Sequence, residues 1–258
     1  MKQILSPYNT QLKHLAKLVK SAKYRRECRQ TVLEGAHLLD ALLQTGARPQ
    51  QVYVAADRLD DGEIQGLLAR LAQEDVTAVG GGLLAKASAL SDGGGLLALA
   101  EIPAAAAPPQ NGDCVVLERI QDPGNIGTIL RSAAAAGVKN VVFGCDCADV
   151  WSPKVLRAAM GAHFLLGLYP DTDLAQWLPL YREPLRVTAL DESAQSLYAL
   201  DLRRLCGWLF GNEGSGVSDE ARRAAAGSVV IPMAGATESL NVAMAATVCL
   251  FEQMRQRL

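Results

Sequence analysis

The chain has few histidines and aromatic residues, and its cysteines do not form a metal-binding pattern. Only three histidines, at positions 14, 37 and 163, occur in 258 residues, and aromatic residues make up 5% of the chain. Among the six cysteines, the close pair Cys145 and Cys147 is separated by a single residue, which is poor spacing for zinc. We therefore expect no metal site, and reduced, mostly buried thiols.

The patterns of a membrane span and of a signal peptide are also missing. No stretch comes near the roughly 18 consecutive apolar residues that suggest a spanning helix. The opening MKQILSPYNTQ does not have a charged segment followed by an apolar one. Half of the residues are apolar and 20% are charged, which is ordinary for a globular protein. These absences predict a cytoplasmic protein that does not enter a membrane.

Charge is distributed unevenly along the chain. The net charge is −2, yet residues 1–30 hold eight Lys or Arg and one Glu, so they carry +7 and the remainder carries −9. A basic arm on an acidic body is typical of nucleic-acid binding. The alternative is the solvated face of an amphipathic helix with Leu12, Leu15 and Leu18 turned towards the core, and both can hold at once. The residues predicted to contact RNA are Lys20, Lys23, Arg25 and Arg26.

The apolar pattern predicts two α/β domains joined by a linker. Residues 103–113 contain adjacent prolines, which stiffen a chain without joining a helix or a central strand. Residues 1–102 alternate strand and helix patterns, as in a small α/β sandwich. Residues 114–258 contain continuous apolar strands separated by helices, which predict a parallel sheet covered on both faces.

The predicted elements follow this division. The predicted strands are residues 31–33, 52–55, 76–79 and 96–100 in the first domain, and 114–117, 141–143, 164–169, 186–189, 208–210 and 229–231 in the second. The predicted helices are residues 36–44, 62–73, 83–89, 126–136, 153–160, 218–226 and 240–257. The last helix is apolar on nearly all sides, so it needs a cover besides the sheet. A second subunit is the simplest cover, and we predict a homodimer that pairs through the C-terminal domain.

Three loops of the second domain follow predicted strands, where ligands of parallel sheets bind. The first, residues 118–138, has a turn before a helix that carries Arg131. This arginine is either a salt-bridged surface residue or a placed functional group. The second, residues 211–216, has three glycines, yet Glu213 stands in it where a phosphate would be repelled. In the third, residues 231–245, Ser239 is a plausible helix cap and Asn241 lies in the first turn, so both residues could serve capping alone.

Taken together, the three loops resemble the motifs of the SpoU (TrmH-like) RNA 2′-O-ribose methyltransferases of the SPOUT superfamily. Their order and spacing match, and residues 152–164, SPKVLRAAMGAHF, resemble the family's segment between the first two motifs. The motifs are Asn125-x-Gly127-x-x-x-Arg131, Phe210-Gly211-Asn212-Glu213-Gly214-x-Gly216, and Ile231-Pro232-Met233 with Ser239-Leu240-Asn241-Val242-Ala243.

The resemblance implies a fold and a cofactor. The C-terminal sheet is expected to end in a deep trefoil knot, and residues 1–102 to form a ribosomal-protein-like domain that binds the substrate. The expected cofactor is S-adenosylmethionine, whose positive sulfonium and lack of phosphate make an acid in the loop acceptable. The implied cofactor-binding residues are Thr188, Ala189, Gly211, Asn212, Gly214, Ile231, Met233 and Leu240.

The resemblance also implies the chemistry, which is methyl transfer to a ribose 2′-hydroxyl. The implied catalytic residues are Asn125, Arg131, Glu213, Ser239 and Asn241. A guanidinium is almost never neutral, so Arg131 is expected to clamp a phosphate and the developing alkoxide, whereas Glu213 is the more conventional proton acceptor. Ribosomal RNA is favoured over transfer RNA because the chain has two domains. Two alternatives stay open: a related methyltransferase that acts on a base nitrogen, and a non-catalytic RNA-binding protein.

Overall fold

A computed structural model describes residues 1–90, 95–189, 194–237 and 239–258, which form two compact units. The first unit comprises Met1–Ala104 and Trp151–Phe164, and the second comprises Ala105–Val150 and Leu165–Leu258. The first break between the units falls within the predicted linker. The segment Trp151–Phe164 belongs to the first unit, although its sequence position suggests the second.

The elements are numbered in chain order. The strands are β1 (Lys2–Ile4), β2 (Gln30–Glu34), β3 (Gln51–Ala55), β4 (Val76–Val79), β5 (Leu96–Glu101), β6 (Cys114–Leu117), β7 (Asn140–Gly144), β8 (Gly167–Thr172), β9 (Leu185–Thr188), β10 (Gln195–Ser196), β11 (Gly207–Phe210) and β12 (Gly227–Val230). The helices are α1 (Thr10–Lys20), α2 (Ala22–Cys28), α3 (Ala36–Gln44), α4 (Gly62–Leu68), α5 (Leu83–Ala87), α6 (Pro123–Ala135), α7 (Pro153–Ala159), α8 (Leu174–Trp177), α9 (Asp219–Ala224) and α10 (Val242–Arg255).

The first unit is a five-stranded mixed sheet with helices on its faces. The strand order is β1-β4-β3-β5-β2, in which β1, β4 and β3 are parallel and β5 runs antiparallel to β3 and β2. Helix α1 buries Leu12, Leu15 and Leu18 against one face of this sheet. Strand β1 was not predicted from the sequence, and the helix predicted for residues 62–73 ends at Leu68.

Arg25 has a structural role, so its prediction as an RNA contact is wrong. Its side chain is only 4% exposed, and its guanidinium donates to the main-chain carbonyls of Leu18 and Val19, the latter at 3.2 Å. These carbonyls lie in the last turn of α1, where the helix leaves its own acceptors unsatisfied. Counting charges along the sequence cannot separate such a buried cation from exposed ones. Lys20, Lys23 and Arg26 are exposed, as a role in RNA binding requires.

A buried ion pair fastens the segment Trp151–Phe164 to the first unit. Arg157 on α7 pairs with Glu34, whose side chain is fully buried at the end of β2. The same carboxylate accepts hydrogen bonds from the Ser88 hydroxyl and the Ala89 main-chain N–H, each at 2.7 Å. The buried charge is thus paired and hydrogen-bonded, the arrangement that makes burial of a carboxylate tolerable.

The second unit is a seven-stranded sheet in the order β10-β12-β9-β11-β6-β7-β8, with all neighbours parallel. The strand predicted for residues 164–169 starts only at Gly167, because Ala162–Leu165 form a 3-10 turn. Helix α10 packs on α6, where the hydroxyls of Ser132 and Thr247 are 2.7 Å apart. Because every strand is parallel, the loops that follow β6, β9, β11 and β12 lie at one edge of the sheet.

Helix α10 is buried along one side and exposes apolar residues on another. Ala246, Cys249 and Leu250 are fully buried, whereas Met244 and Phe251 are 49% and 39% exposed. The apolar character noted in the sequence is therefore divided between the core and the surface. In the described ranges, no helix combines the length and apolar character needed to cross a membrane.

Candidate active site

The loops at the carboxyl edge of the second sheet enclose a cavity of about 580 Å³. It is lined by all eight residues that the sequence assigned to a cofactor, and by three of the five assigned to catalysis: Thr188, Ala189, Gly211, Asn212, Gly214, Ile231, Met233 and Leu240, with Glu213, Ser239 and Asn241. Asn125 and Arg131 are not among the lining residues in the described part of the chain. The volume is within the range of small-molecule and cofactor sites.

Gly211 marks a place where two stretches of backbone nearly touch. A Cβ at this position would lie 2.4 Å from the carbonyl carbon and oxygen of Gly216, and 2.5 Å from the nitrogen of Val217. These atoms belong to the backbone and cannot rotate away as a side chain could. The turn from Gly211 to Val217 thus closes on itself only because residue 211 has no side chain.

Asn212 holds this turn in shape. Its Oδ1 accepts hydrogen bonds from the main-chain N–H groups of Gly214 at 3.0 Å and Ser215 at 3.1 Å. Its main-chain carbonyl accepts from the N–H of Gly216 at 2.9 Å. One asparagine therefore satisfies three N–H groups of an exposed loop, a use for which Asn is well suited.

Glu118 and Arg119, directly after β6, brace the Gly211–Val217 turn, and neither residue was predicted as part of the site. Both oxygens of the Glu118 carboxylate accept from Ser218, one from its N–H at 2.7 Å and one from its hydroxyl at 2.6 Å. The Arg119 carbonyl accepts from the Asn212 side-chain amide at 3.0 Å, and its Nη2 donates to the Gly216 carbonyl at 3.3 Å. Arg119 has φ of +57°, a conformation uncommon for a residue other than glycine. The only signal in the sequence is their position at the end of a strand.

Three predicted catalytic residues form one chain of hydrogen bonds. The Asn125 side-chain amide donates to Glu213 Oε1 at 2.6 Å, and the Asn241 amide donates to Asn125 Oδ1 at 3.0 Å. The three residues come from α6, the Gly211–Val217 turn and the start of α10. The two hydrogen bonds therefore connect all three motifs. Asn125 makes both bonds with one amide, whose orientation they fix.

Asn241, not Ser239, caps the last helix. Its Oδ1 accepts from the N–H groups of Ala243 at 2.9 Å and Met244 at 3.3 Å. The expectation that Ser239 caps the helix and Asn241 lies in its first turn is therefore wrong by two residues. Capping leaves the Asn241 amide free to donate to Asn125 Oδ1, so the capping role does not conflict with the predicted functional one. Ser239 is left as an exposed residue on the cavity wall.

Arg131 lies exposed on α6. Its side chain makes no hydrogen bond or ion pair with any residue in the described ranges, in contrast to the salt-bridged surface arginine that the sequence left possible. An exposed guanidinium on the helix that carries Asn125 is available to an anionic ligand. Helix α6 itself begins at Pro123, with Asp122 as its cap, three residues earlier than predicted.

The thiols whose pKa is raised by burial are not activated for covalent chemistry. Burial raises the pKa of Cys147 to about 11 and that of Cys114 to about 12, so both thiols stay protonated at neutral pH and neither is an activated nucleophile. Across the described ranges, no three His, Cys, Asp or Glu side chains cluster closely enough to hold a metal ion.

The cavity suits the methyl donor that the motifs imply. Among the described residues, its wall carries one carboxylate, Glu213, and one guanidinium, Arg222, beside apolar groups such as Ile231 and Leu240. Apolar surface with a few placed polar groups is the usual lining of a cofactor site. One charge of each sign is compatible with a ligand that has a cationic sulfonium and a carboxylate. A parallel sheet with such a cavity at its carboxyl edge defines an α/β enzyme that binds a small cofactor.

Comparison with known proteins places the chain within that class. The SpoU rRNA Methylase family matches residues 113–251, and the MRM3-like substrate binding domain matches residues 9–98. The chain belongs to the SpoU rRNA methylase family.

Individual relatives agree with this assignment. The uncharacterized tRNA/rRNA methyltransferase slr1673 of Synechocystis sp. is 36% identical over 271 residues, which cover 98% of this chain and 94% of that protein. The 23S rRNA (guanosine-2′-O-)-methyltransferase RlmB of Xanthomonas campestris pv. campestris is 41% identical over 146 residues, which cover 56% of this chain and 59% of that protein. The crystal structure of an AdoMet-bound rRNA methyltransferase from Sinorhizobium meliloti is 25% identical with a TM-score of 0.85, covering 100% of this chain and 98% of that one.

Proposed function

We propose that the protein transfers a methyl group from S-adenosylmethionine to a ribose 2′-hydroxyl in ribosomal RNA. The observation that carries the proposal is the Asn241–Asn125–Glu213 chain at a cavity lined by every predicted cofactor residue. The family membership supports methyl transfer. The names of the relatives support the rest, since one is a ribose 2′-O-methyltransferase of 23S rRNA and another was crystallised with AdoMet.

The apolar and glycine residues of the cavity would hold the cofactor. Ile231, Met233 and Leu240 offer apolar surface to the adenine, beside the backbone of Gly211 and Gly214, which leaves room for it. Thr188 and Ala189 complete the wall at the end of β9. When bound, the cofactor supplies an electrophilic methyl group on a positive sulfur.

The hydrogen-bonded residues Asn241, Asn125 and Glu213 would position the acceptor hydroxyl and accept its proton. In the transfer the ribose oxygen bonds to the methyl carbon, the carbon–sulfur bond breaks, and the hydroxyl proton must leave. Asn125 donates to Glu213 Oε1 and so fixes the carboxylate, whose second oxygen can accept that proton. Asn241 in turn fixes Asn125. Ser239, on the same cavity wall, would complete the polar surroundings of the ribose.

Arg131 would stabilise the charge that develops on the acceptor. Its guanidinium stays protonated at any physiological pH, so it serves as a clamp for an RNA phosphate and the forming alkoxide rather than as a base. Placed donors of this kind contribute more in the transition state than in the ground state, which is why they accelerate a reaction.

The assembly of the whole protein is part of the proposal. The C-terminal domain would contain a deep trefoil knot and pair with a second copy through the exposed apolar residues of α10, which are Met244 and Phe251. The domains would divide at residues 103–113, and the protein would act in the cytoplasm. Light scattering should give about twice the monomer mass of 27.4 kDa, and the monomer mass at micromolar concentration would contradict the dimer.

Methyl transfer itself is tested with labelled cofactor and RNA from cells that lack the gene. Label should enter ribosomal RNA and not transfer RNA, and RNA from cells that contain the gene should accept little. Entry only into transfer RNA would correct the substrate. No transfer to any RNA, by protein that binds both RNA and cofactor, would favour the non-catalytic alternative.

A further inference from the structure

Helix α1 presents a row of lysines on the side away from the core. Lys13, Lys17 and Lys20 are spaced four and three residues apart, so they share one face of the helix, and all three are exposed. The buried leucines of the helix occupy the opposite side. The row is therefore a surface feature that the packing of the helix does not require.

The charge on this row is not neutralised. Helix α1 has the sequence TQLKHLAKLVK, which contains no Asp or Glu. Within the described part of the chain, no carboxylate lies at ion-pair distance from these three lysines. A solvated helix face usually alternates acids with bases at this spacing, so the absence of acids favours a binding role. Lys23, one turn further on, differs because it lies 3.8 Å from Glu27.

Two tyrosines contact the row. The ammonium of Lys13 lies 5.7 Å from the centre of the Tyr8 ring, and that of Lys17 lies 4.6 Å from the centre of the Tyr24 ring. A cation over an aromatic face is attracted to it but keeps its charge. The tyrosines thus hold two lysines in place and leave their positive charge intact. A neighbouring carboxylate would have neutralised that charge.

The tyrosines differ in exposure. Tyr8 is 80% exposed, so its ring is open to solvent beside Lys13. Tyr24 is held in place, because its hydroxyl is 3.0 Å from His14 Nδ1 and the other ring nitrogen of His14 is 2.8 Å from Gln30 Oε1. Tyr8 is therefore the ring that a ligand could stack upon, and Tyr24 is a fixed support for Lys17.

We infer that Tyr8, Lys13, Lys17 and Lys20, here called the Tyr–Lys row, bind an unpaired segment of RNA. The inference rests on the proposed function and extends it to the form of RNA that the first unit holds. Cations that follow a backbone, combined with an exposed aromatic ring for a base, are the features of single-strand binding. A duplex would use the lysines alone, since its bases are already stacked, and an acidic protein would have no need of the open ring.

Binding of a fluorescent single-stranded RNA and of the duplex of the same sequence, measured by anisotropy, tests the inference. Tyr8→Ala should weaken single-strand binding about 5-fold to 150-fold, the range measured for loss of a stacking contact, and should change duplex binding little. Tyr8→Phe should restore the affinity, because the ring is retained. Tyr198→Ala is the matched control, since Tyr198 is 58% exposed in the second unit.

The lysines are tested by salt dependence. For a single strand, each lost phosphate contact should flatten the slope of log affinity against log salt by about 0.7. The double variant Lys13→Gln, Lys17→Gln should therefore lower the slope by about 1.4, while Tyr8→Ala leaves it unchanged. Circular dichroism should show the wild-type fold for each variant, as their exposed positions imply.

Three results would overturn the inference. They are unchanged single-strand affinity in Tyr8→Ala, an equal loss of duplex binding in that variant, and displacement of the RNA by polyglutamate at equal charge concentration, which would indicate an acidic protein partner. Failure of the proposed function is seen separately, by cofactor calorimetry and methyl transfer. Protein that binds single strands through the Tyr–Lys row but methylates no RNA would support the row and contradict the proposed function.

Discussion

Replacement of Gly211 by alanine tests the geometry of the cofactor cavity most sharply. The new Cβ would lie 2.4 Å from the carbonyl group of Gly216 and 2.5 Å from the nitrogen of Val217. Carbon and oxygen atoms that are not bonded normally stay more than about 3 Å apart, so one strand of the turn must move. The backbone conformation of Gly211 is one that alanine can adopt, so the expected effect is steric alone.

The size of the effect follows from the cost of overpacking, which is typically about 1–3 kcal/mol. If the native turn is kept, this cost lowers the stability, and a chain of this size loses about 2–4 °C of melting temperature per kcal/mol. The melting temperature should then fall by about 2–12 °C. If the turn opens instead, the same energy is lost from cofactor binding, and the dissociation constant should rise about 5-fold to 150-fold.

Gly235→Ala is the matched control, because Gly235 lies in the loop after β12 but is not among the described residues that line the cavity. Apart from its two chain neighbours, no heavy atom of the described residues lies within 4 Å of the Cβ that alanine would add there. Thermal unfolding and calorimetry with S-adenosylmethionine should show Gly235→Ala close to the wild type and Gly211→Ala clearly impaired in one or both. A Gly211→Ala protein with wild-type melting temperature and cofactor affinity would refute the close approach of the two backbone stretches.

Three further substitutions test separate parts of the account. Arg131→Ala should slow single-turnover methyl transfer about 10²-fold to 10³-fold with cofactor affinity unchanged, and Arg131→Lys should recover little because the planar fork is lost; a near-normal rate in Arg131→Ala would remove it from the mechanism. Glu118→Gln keeps the shape but can accept only one of the two Ser218 hydrogen bonds, so cofactor affinity should fall several-fold while the exposed control Glu220→Gln has no effect, and equal affinities would show that Glu118 does not brace the turn. Arg25→Met should destabilise the protein by about 1–3 kcal/mol, because two carbonyls of α1 lose their buried donor, yet leave RNA affinity of the folded protein unchanged in anisotropy; a loss of affinity without a loss of stability would restore Arg25 as an RNA contact.

Much of the site could be predicted because it depends on short stretches of sequence. Loops that follow parallel strands meet at one edge of a sheet, so three motifs at such loops predict one cavity without knowledge of the strand order. The residue types that such loops require, such as the glycine at position 211 in a tight turn, are visible in the sequence. The strand order itself is not, because many orders satisfy the same pattern of apolar runs.

The rest depended on contacts between residues far apart in the chain. Glu118 and Ser218 are 100 residues apart, and no local pattern reveals a carboxylate that accepts two hydrogen bonds from one serine. The ion pair of Arg157 with the buried Glu34 is likewise invisible in the sequence, because the two residues are far apart in the chain. Arg25 shows the opposite error, since a cation in a basic stretch was counted as exposed although helix α1 needed it as a donor.

The chemical position of the transferred methyl group tests the central claim most directly. RNA methylated with labelled S-adenosylmethionine is hydrolysed with alkali, which requires a free 2′-hydroxyl at each bond that it breaks. Methylation of a ribose 2′-hydroxyl predicts that the label remains in alkali-resistant dinucleotides. Label recovered in mononucleotides with a modified base would contradict the claim and identify the protein as a base methyltransferase.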